Sequence, residues 1–101
     1  MPKGYAVFTE QVTDAEGMAA YSRAALPTLL AGGATPIVVG PPAELLEGEW
    51  HGTQTVILEF DSVEAAQAWY NSPEYQAVIP TRQAAATSNA AIFSGFEMPG
   101  R

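Results

Sequence analysis

The sequence predicts an α+β fold, in which a four-stranded antiparallel sheet carries its helices on one face. The first observation is the order of the segments, because runs of β-branched and aromatic residues alternate with helical periodicity as βαββαβ. The second is that both helical segments begin at capping sequences, one at Thr13 and one at Asp61-Ser62. The third is the length of 101 residues, which suits one core. We therefore expect a single domain over residues 1–101.

The first half of the chain predicts a strand, a helix and a second strand. Residues 4–12 are rich in aromatic and β-branched side chains, which is typical of a strand. Thr13-Asp14-Ala15-Glu16 has the form of a capping box with Thr13 as the cap, and Gly32-Gly33 ends the helix that it starts. Residues 35–39 form a short strand, and residues 40–47 suit an edge strand or a loop. The apolar stripe of the helix contains Met18, Tyr21, Ala25 and Leu29, widened by Leu26 and Leu30.

The second half predicts a strand, a helix in two parts and a last strand. A helix begins after Asp61 or Ser62 and runs to about Tyr70, and Ser72-Pro73 restarts it. This second part is disturbed near Pro80 and continues to about residue 87, before a last strand over residues 89–97. The strand over residues 53–60 alternates, with Gln54, Val56, Leu58 and Phe60 facing the helices and with Thr55, Ile57 and Glu59 on the other face.

These elements assemble into the ferredoxin-like arrangement, a βαββαβ sandwich with the helices on one face of the sheet. The other face of the sheet is then uncovered. Ile57 points to that face, together with either Tyr5 and Val7 or Ala6 and Phe8. Two copies that stack sheet to sheet would bury these side chains at once, so we expect a homodimer that forms an α/β barrel.

Composition excludes several classes of function. The chain has 11 acidic and 4 basic side chains and a net charge of −7, so we expect no nucleic-acid partner and no membrane partner. With no cysteine and one histidine, we expect no metal and no tightly bound cofactor, although a cation site made of carboxylates alone stays open. Only 15% of the residues are charged, which indicates that part of the surface is hidden in a partner. The first residues lack an apolar signal core, so a cytoplasmic location is expected.

Segments over nearly the whole chain resemble the DUF1330 family, whose members are small bacterial proteins of unknown function. The matching residues are Lys3-Gly4-Tyr5, Leu46-Glu47-Gly48-Glu49-Trp50, Leu58-Glu59-Phe60-Asp61-Ser62, Ala65, Ala66, Ala68, Trp69, Tyr70, Ser72-Pro73-Glu74-Tyr75-Gln76 and Arg82. The resemblance implies the dimeric α/β-barrel version of the fold. Relatives by fold include cofactor-free monooxygenases, muconolactone isomerases and haem-degrading enzymes, which use the cleft between sheet and helices. This likeness concerns architecture alone.

Two residues are candidates for catalysis. Strand alternation directs Glu59 to the face that a second copy would cover, where a desolvated carboxylate is suited to act as a general base. The alternative is a strand-end residue that bonds to a Thr, Tyr or Arg of a neighbouring strand. His51 is the only imidazole and follows Trp50 in an expected loop, where binding residues concentrate. The alternative for His51 is an exposed side chain without a role.

A second set of residues consists of candidates for substrate binding. Arg82 is the only basic side chain between Arg23 and Arg101, and its guanidinium is suited to hold a substrate carboxylate. The alternative is a structural ion pair, with Glu59 or Glu74 as the partner. The aromatic candidates for an apolar pocket, which at helical spacing are equally typical of core, are Trp50, Tyr21, Trp69, Tyr70 and Tyr75.

Two hypotheses for function follow. In the first, the protein binds or converts a small apolar or carboxylated molecule, without a metal or tightly bound cofactor, in the cleft expected of the fold. In the second, it is a non-catalytic dimeric module, either a ligand sensor or an accessory subunit. An apolar pocket between sheet and helices that Glu59 or Arg82 reaches would favour the first hypothesis.

Overall fold

The computed structural model describes residues 2–100, which contain four strands and three helices. The elements are β1 (Gly4–Val12), α1 (Ala15–Gly32), β2 (Thr35–Gly40), β3 (Gln54–Phe60), α2 (Val63–Tyr70), α3 (Pro73–Ala85) and β4 (Ala86–Ser94). The strands form one antiparallel sheet in the order β2-β3-β1-β4. The predicted α+β, ferredoxin-like fold is confirmed. None of the three helices in the described range is long and apolar enough to cross a membrane.

Each helix begins at a side-chain cap. The Asp14 carboxylate accepts a hydrogen bond of 3.1 Å from a backbone N–H in the first turn of α1. The prediction of Thr13 as this cap is wrong, because the Thr13 hydroxyl instead donates to the carbonyl oxygen of Ala85 at 3.2 Å. Ser62 and Ser72 cap α2 and α3 as predicted. Local sequence therefore sets where α2 and α3 begin, whereas a contact with α3 decides which residue caps α1.

The last helix and the last strand meet earlier than the sequence predicts. α3 passes through Pro80 and ends at Ala85, and β4 then runs over residues 86–94 rather than 89–97. Alanine favours helix locally, but residues 86–88 extend the ladder of β4 with the end of β1 as far as Val12. Pairing with β1 thus outweighs local propensity at this point. Residues 41–53 connect β2 to β3 as a loop.

Trp69 of α2 lies at the centre of the layer between the sheet and the helices. The centroid of its ring is 5.5 Å from that of Phe60 in β3 and 4.1 Å from that of Tyr75 in α3. The indole N–H donates to the Thr28 hydroxyl of α1 at 3.1 Å. One side chain therefore links the sheet with α1 and α3. The rest of this core consists of Ala6, Phe8, Ala25, Leu58, Ala66 and Ile79.

The structure settles which face of β1 meets the helices. Ala6 and Phe8 are buried under the helices, so Tyr5 and Val7 lie on the opposite face. Val7 pairs with Ile57 of β3 on that face. This is the first of the two alternatives that the sequence left open. We call this side of the sheet the open face, because all three helices pack on the other side.

Gly4 is a position in the sheet where a side chain would not fit. A Cβ atom there would lie 2.3 Å from the carbonyl oxygen of Ser62, the residue that caps α2. The backbone at Ser62 cannot move away to make room for this Cβ atom, as a flexible side chain could. We expect Gly4→Ala to destabilise the fold by about 1–3 kcal/mol, measured by urea unfolding.

The control for this variant is Ser94→Ala, at the exposed position that pairs with Gly4 in β4. This change should alter the free energy of unfolding by less than about 0.5 kcal/mol. An unfolding midpoint for Gly4→Ala equal to that of the wild type would contradict the close approach of β1 to α2.

Candidate functional site

A cleft of about 340 Å³ opens between α1 and the half of the sheet formed by β2 and β3. It exists because α2 packs on β1, β3 and β4, and α3 on β4, whereas α1 packs mainly on the other two helices. The volume lies within the range of small-molecule sites, about 300–1,000 Å³. The apolar walls include Phe8, Ala25, Leu29, Pro36, Val39 and Leu58.

Glu10 is the charged group of this cleft. Strand alternation places it on the helix-facing side of β1, two residues after Phe8, and its side chain is only 1% exposed. Gln54, its partner in the β1–β3 ladder, donates from Nε2 to Glu10 Oε1 at 2.6 Å. Such a bond offsets part of the cost of burying a carboxylate. An apolar cleft that contains a carboxylate and an amide fits a ligand with an apolar body and a polar end.

The end of the loop before β3 holds the backbone of Glu10 in place. Thr53 donates from its N–H and from its hydroxyl to the carbonyl oxygen of Glu10, at 2.8 and 3.3 Å. Gly52 has a φ of +91°, and a Cβ atom on it would lie 2.5 Å from that carbonyl group. Only glycine meets both conditions. The loop therefore fixes the position of Glu10 from the backbone side.

Two tyrosine hydroxyls and a guanidinium lie beside the cleft. The hydroxyl oxygens of Tyr21 in α1 and Tyr75 in α3 are 2.6 Å apart. Arg82, near the end of α3, is only 4% exposed, and its guanidinium carbon lies 5.3 Å from the ring centroid of Phe8. This geometry is that of a cation–π contact. Phe8 and Tyr21 line the cleft, whereas Tyr75 and Arg82 lie behind them.

Burial raises the pKa of both tyrosines of this pair. For Tyr21, desolvation is the largest cause, the Tyr75 hydroxyl adds to it, and the positive charge of Arg82 opposes it. For Tyr75, desolvation is again the largest cause of the raised pKa, and the hydrogen bond with Tyr21 and the charge of Arg82 oppose it. Both hydroxyls therefore stay protonated across the neutral range and are available as donors.

Arg82 stands apart from the carboxylates that the sequence suggested as its partners. Glu59 lies on the open face, Glu74 is exposed, and among the described residues Arg82 takes part in no ion pair. Its Nε and the hydroxyl of Ser88 are buried without a hydrogen-bond partner in that part of the chain. Ser88 lies opposite Glu10 in the β1–β4 ladder. Within residues 2–100, no cluster of three or more acidic or histidine side chains is arranged to hold a metal ion.

The two catalytic candidates from the sequence, Glu59 and His51, lie on the open face, away from the cleft. The Tyr5 hydroxyl donates to Glu59 Oε2 at 3.0 Å across the β1–β3 ladder, and this bond raises the pKa of Tyr5. His51 Nδ1 is 2.9 Å from the Thr9 hydroxyl oxygen. Glu59, His51 and Arg82 are therefore not brought together in one site.

The aromatic candidates separate into three environments. Trp50 lies in the loop over the open face, where its indole N–H donates to the Thr55 hydroxyl at 3.0 Å. Trp69 and Tyr75 are buried in the core between the sheet and the helices. Tyr21 is the member of the set that lines the cleft between α1 and the sheet.

Glu10 and Gln54 are not identified from the sequence as a pair. The sequence signal that could identify Glu10 is the alternation of β1, because Glu10 must face the helices if Ala6 and Phe8 do. Both possible faces of β1 carry apolar side chains, so the sequence leaves the orientation open. The same alternation in β3 does place Gln54 on the helix side, as observed.

A family model, described as a domain of unknown function (DUF1330), matches residues 3–96. The chain belongs to the DUF1330 family. The resemblance seen from Lys3-Gly4-Tyr5 to Arg82 is thereby confirmed. No curated protein matches the sequence of this DUF1330 chain.

Solved structures similar to the DUF1330 chain share its fold. A protein of unknown function from Rhodopseudomonas palustris has a TM-score of 0.78 and 22% identity, covering 96% of this chain and 85% of its own. A dimeric ferredoxin-like protein of unknown function from Thermobifida fusca has a TM-score of 0.64 and 14% identity, covering 92% and 91%. SnoaB, a cofactor-independent oxygenase from Streptomyces nogalater, has a TM-score of 0.64 and 14% identity, covering 100% of both chains. At these identities the likeness establishes the fold.

The buried tyrosine pair of the DUF1330 protein predicts a loss of stability at alkaline pH. The pKa of Tyr21 is raised in the folded state above the unfolded value of about 10. Its contribution to stability is thus complete below pH 10 and is lost as the pH rises further. We expect Tyr21→Phe to flatten the decline of the unfolding free energy above about pH 10, by up to about 1.4 kcal/mol per pH unit.

The measurement is urea unfolding of both proteins between about pH 9 and pH 11. Tyr75→Phe should flatten the decline in the same direction, because burial also raises the pKa of Tyr75. Parallel pH profiles for the wild type and Tyr21→Phe would mean that Tyr21 ionises in the folded protein with an ordinary pKa.

Proposed function

We propose that the DUF1330 protein binds a small molecule in the cleft between α1 and the β2–β3 half of the sheet. The observation that supports this most directly is Glu10, a carboxylate that is 1% exposed and lines an otherwise largely apolar cleft. An apolar residue at this position would continue the pattern of Ala6 and Phe8 without the cost of burying a charge. The carboxylate is therefore placed to accept a hydrogen bond from a ligand.

The charge of the cleft narrows the chemistry of that ligand. The sequence hypothesis includes apolar and carboxylated molecules, with Arg82 as the anchor for a carboxylate. Arg82 lies behind Phe8, whereas Glu10 lines the cleft, so an anionic group there meets a like charge. We therefore favour an apolar body with a hydroxyl or N–H at its polar end.

Conversion of the bound molecule is a further step of the same proposal. Glu10 is placed to take a proton from a ligand, and Tyr21 lines the same cleft. Proton transfer without a cofactor is thus the chemistry that these groups support, and SnoaB is described as a cofactor-independent oxygenase. The alternative is a non-catalytic dimeric module, either a ligand sensor that uses the same cleft for binding alone or an accessory subunit without a small-molecule ligand. Either role fits the cytoplasmic location expected from the sequence, which stays a prediction.

We also propose that two copies of the chain pack through their open faces. Val7 and Ile57 lie near the centre of this face, and Phe93 near its edge is 54% exposed. The similar protein from Thermobifida fusca is described as dimeric. Stacking two sheets would remove these apolar side chains from water and leave the cleft, on the other side of the sheet, accessible.

The test of binding is a thermal-shift panel of phenols, aromatic amines and aromatic acids. A ligand at 100 times its Kd stabilises the folded state by about 2.7 kcal/mol, which raises the melting temperature. We expect phenols or amines to stabilise the wild type and aromatic acids to have little effect. Glu10→Gln should weaken the affinity at least about tenfold in Kd, because a hydrogen bond to a charged acceptor is lost. The ligand should then stabilise this variant much less than the wild type. The matched variant Glu59→Gln, on the open face, should keep the wild-type affinity.

A second pair of variants tests the place of binding. Leu26 is 51% exposed and lines the cleft, so Leu26→Trp should fill it and abolish binding. Leu30 is 72% exposed on the next turn of α1 and away from the cleft lining, so Leu30→Trp should bind as the wild type does. Failure of every compound to stabilise the wild type would favour the module without a small-molecule ligand. Equal binding by Leu26→Trp and the wild type would show that the ligand lies elsewhere.

The dimer has a separate test by light scattering. Ile57→Glu places a charge at the centre of the proposed interface and should give a monomer, because an unpaired buried charge opposes association. Phe93→Asp should shift the equilibrium in the same direction with less risk to folding, since Phe93 is already exposed. Leu30→Glu, on the helical side, is the control and should leave the dimer intact. A dimer that persists in both open-face variants would refute the proposal.

A further inference from the structure

We propose that the molecule bound in the cleft carries a primary ammonium group on its apolar body, and that this group pairs with the carboxylate of Glu10. The inference rests on the proposed function and narrows its ligand from any hydroxyl or N–H donor to a cation. The charge of the cleft and the hydrogen-bonding groups beside that charge support this assignment.

Glu10 is a buried carboxylate without a counter-charge from its own chain. Its side chain is 1% exposed and lines the cleft, and among residues 2–100 no basic side chain forms an ion pair with it. Arg82 contacts the ring of Phe8 and does not line the cleft. Burial of a carboxylate without a counter-charge costs free energy, and a cation beside it offsets that cost. The cleft thus contains a negative charge that a cationic ligand would balance.

Gln54 adds to the acceptors at the polar end of the cleft. Its Nε2 donates to Glu10 Oε1 at 2.6 Å, since an ionised carboxylate can only accept. The carbonyl oxygen of the same amide is then a further acceptor, and Gln54 lines the cleft with Glu10. A hydroxyl has one proton to donate, whereas a primary ammonium has three donors and no acceptor. The ammonium therefore suits these acceptors better than a hydroxyl does.

An aromatic ring in the wall also favours a cation. Phe8 and Tyr21 line the cleft together with Glu10. The Phe8 ring already has the Arg82 guanidinium against it, 5.3 Å from its centroid, so Tyr21 is the ring that we assign to the ligand. The face of an aromatic ring attracts a cation, and this attraction adds to that of the carboxylate. A protonated amine with an apolar body is therefore the class of ligand that the cleft suits.

The net charge of the protein favours cations as well, but without selecting a place on the surface. With 11 acidic and 4 basic side chains, the chain attracts cations from solution. Salt screens this attraction beyond about 8 Å at physiological ionic strength. A preference for a cation that depends on Glu10 itself therefore distinguishes the proposed ion pair from the effect of net charge, provided that a control variant changes the net charge elsewhere.

Three probes with the same two-ring body test the charge of the ligand. 2-Naphthylmethylamine carries an ammonium at neutral pH, 2-naphthylmethanol carries a hydroxyl, and 2-naphthoic acid carries a carboxylate. We expect the wild type to bind the amine about tenfold more tightly than the alcohol by calorimetry, because both partners of the hydrogen bond are then charged. The acid should bind most weakly, since its charge repels that of Glu10.

Glu10→Gln and Glu59→Gln form a matched pair, because each removes one negative charge and nearly keeps the shape of the side chain. Glu10→Gln should abolish the preference for the amine over the alcohol, whereas Glu59→Gln, on the open face, should keep it. Glu10→Asp retains the charge and should keep part of the preference. Glu10→Gln should also unfold in urea at the same midpoint as the wild type or a higher one, because it removes a buried charge.

The outcomes separate this inference from the proposed function. Equal or weaker binding of the amine than of the alcohol by the wild type would overturn the ion pair and leave binding in the cleft intact. A preference for the amine that survives in Glu10→Gln would overturn it as well, since net charge would then explain the preference. A large loss of stability in Glu10→Gln would also overturn it, because the folded chain itself would then rely on the charge. Failure of all three probes and of the phenols to bind would overturn the proposed function and the inference together.

Discussion

The position of the Trp69 indole decides how α1 is attached to the rest of the molecule. Its N–H donates to Thr28 near the end of α1, and a Cβ atom on Gly32 would lie only 2.9 Å from the Trp69 ring. α1 is thus anchored to α2, and it packs mainly on α2 and α3 rather than directly on the strands. Because α1 packs on the other two helices, it stands off the sheet above β2 and β3. The cleft is the space that this attachment leaves.

A row of polar side chains separates the main apolar core from a smaller apolar cluster of Met18, Ala85 and Ala86. Gln54, Glu10 and Ser88 are neighbours across β3, β1 and β4, on the helix side of the sheet. The next row toward the main core contains Phe8 between Val56 and Ala90. The side chains on this face therefore change from polar to apolar within two residues along each strand. Tyr21 and Arg82 come to this region from two different helices. Polar groups from distant parts of the chain therefore meet between the two apolar clusters.

The sequence predicts the elements of this fold well, because most of their signals are local. The caps at Ser62 and Ser72, the end of α1 at Gly33 and the alternation of β3 each depend on a few neighbouring residues. The start of β4 is misplaced by three residues, since it depends on pairing with β1 across most of the chain. Local preference for helix in an alanine-rich segment does not report that pairing.

The candidate site is less accessible to sequence reasoning, because it depends on orientation and on contacts between elements. Tyr5 and Val7 are as apolar as Ala6 and Phe8, so the face of β1 that holds Glu10 is decided by the whole sheet. Residue type alone does not separate Tyr21 in the cleft wall from Tyr75 in the core. Arg82 is prominent in the sequence, but its tyrosine neighbour and its contact with Phe8 follow from the packing of α3.

The outer wall of the cleft is an edge strand, and this determines how a molecule can reach Glu10. β2 pairs only with β3, the register of that pairing shifts between Pro36 and Val38, and no helix packs closely on β2 in the described range. Most of its residues are exposed, so local separation of β2 from β3 exposes little additional apolar surface and costs far less than opening the core. β2 can separate locally from β3 while the layer around Trp69 stays folded. In the proposed function, local opening of this one short strand would widen the path from the cleft to the buried carboxylate of Glu10.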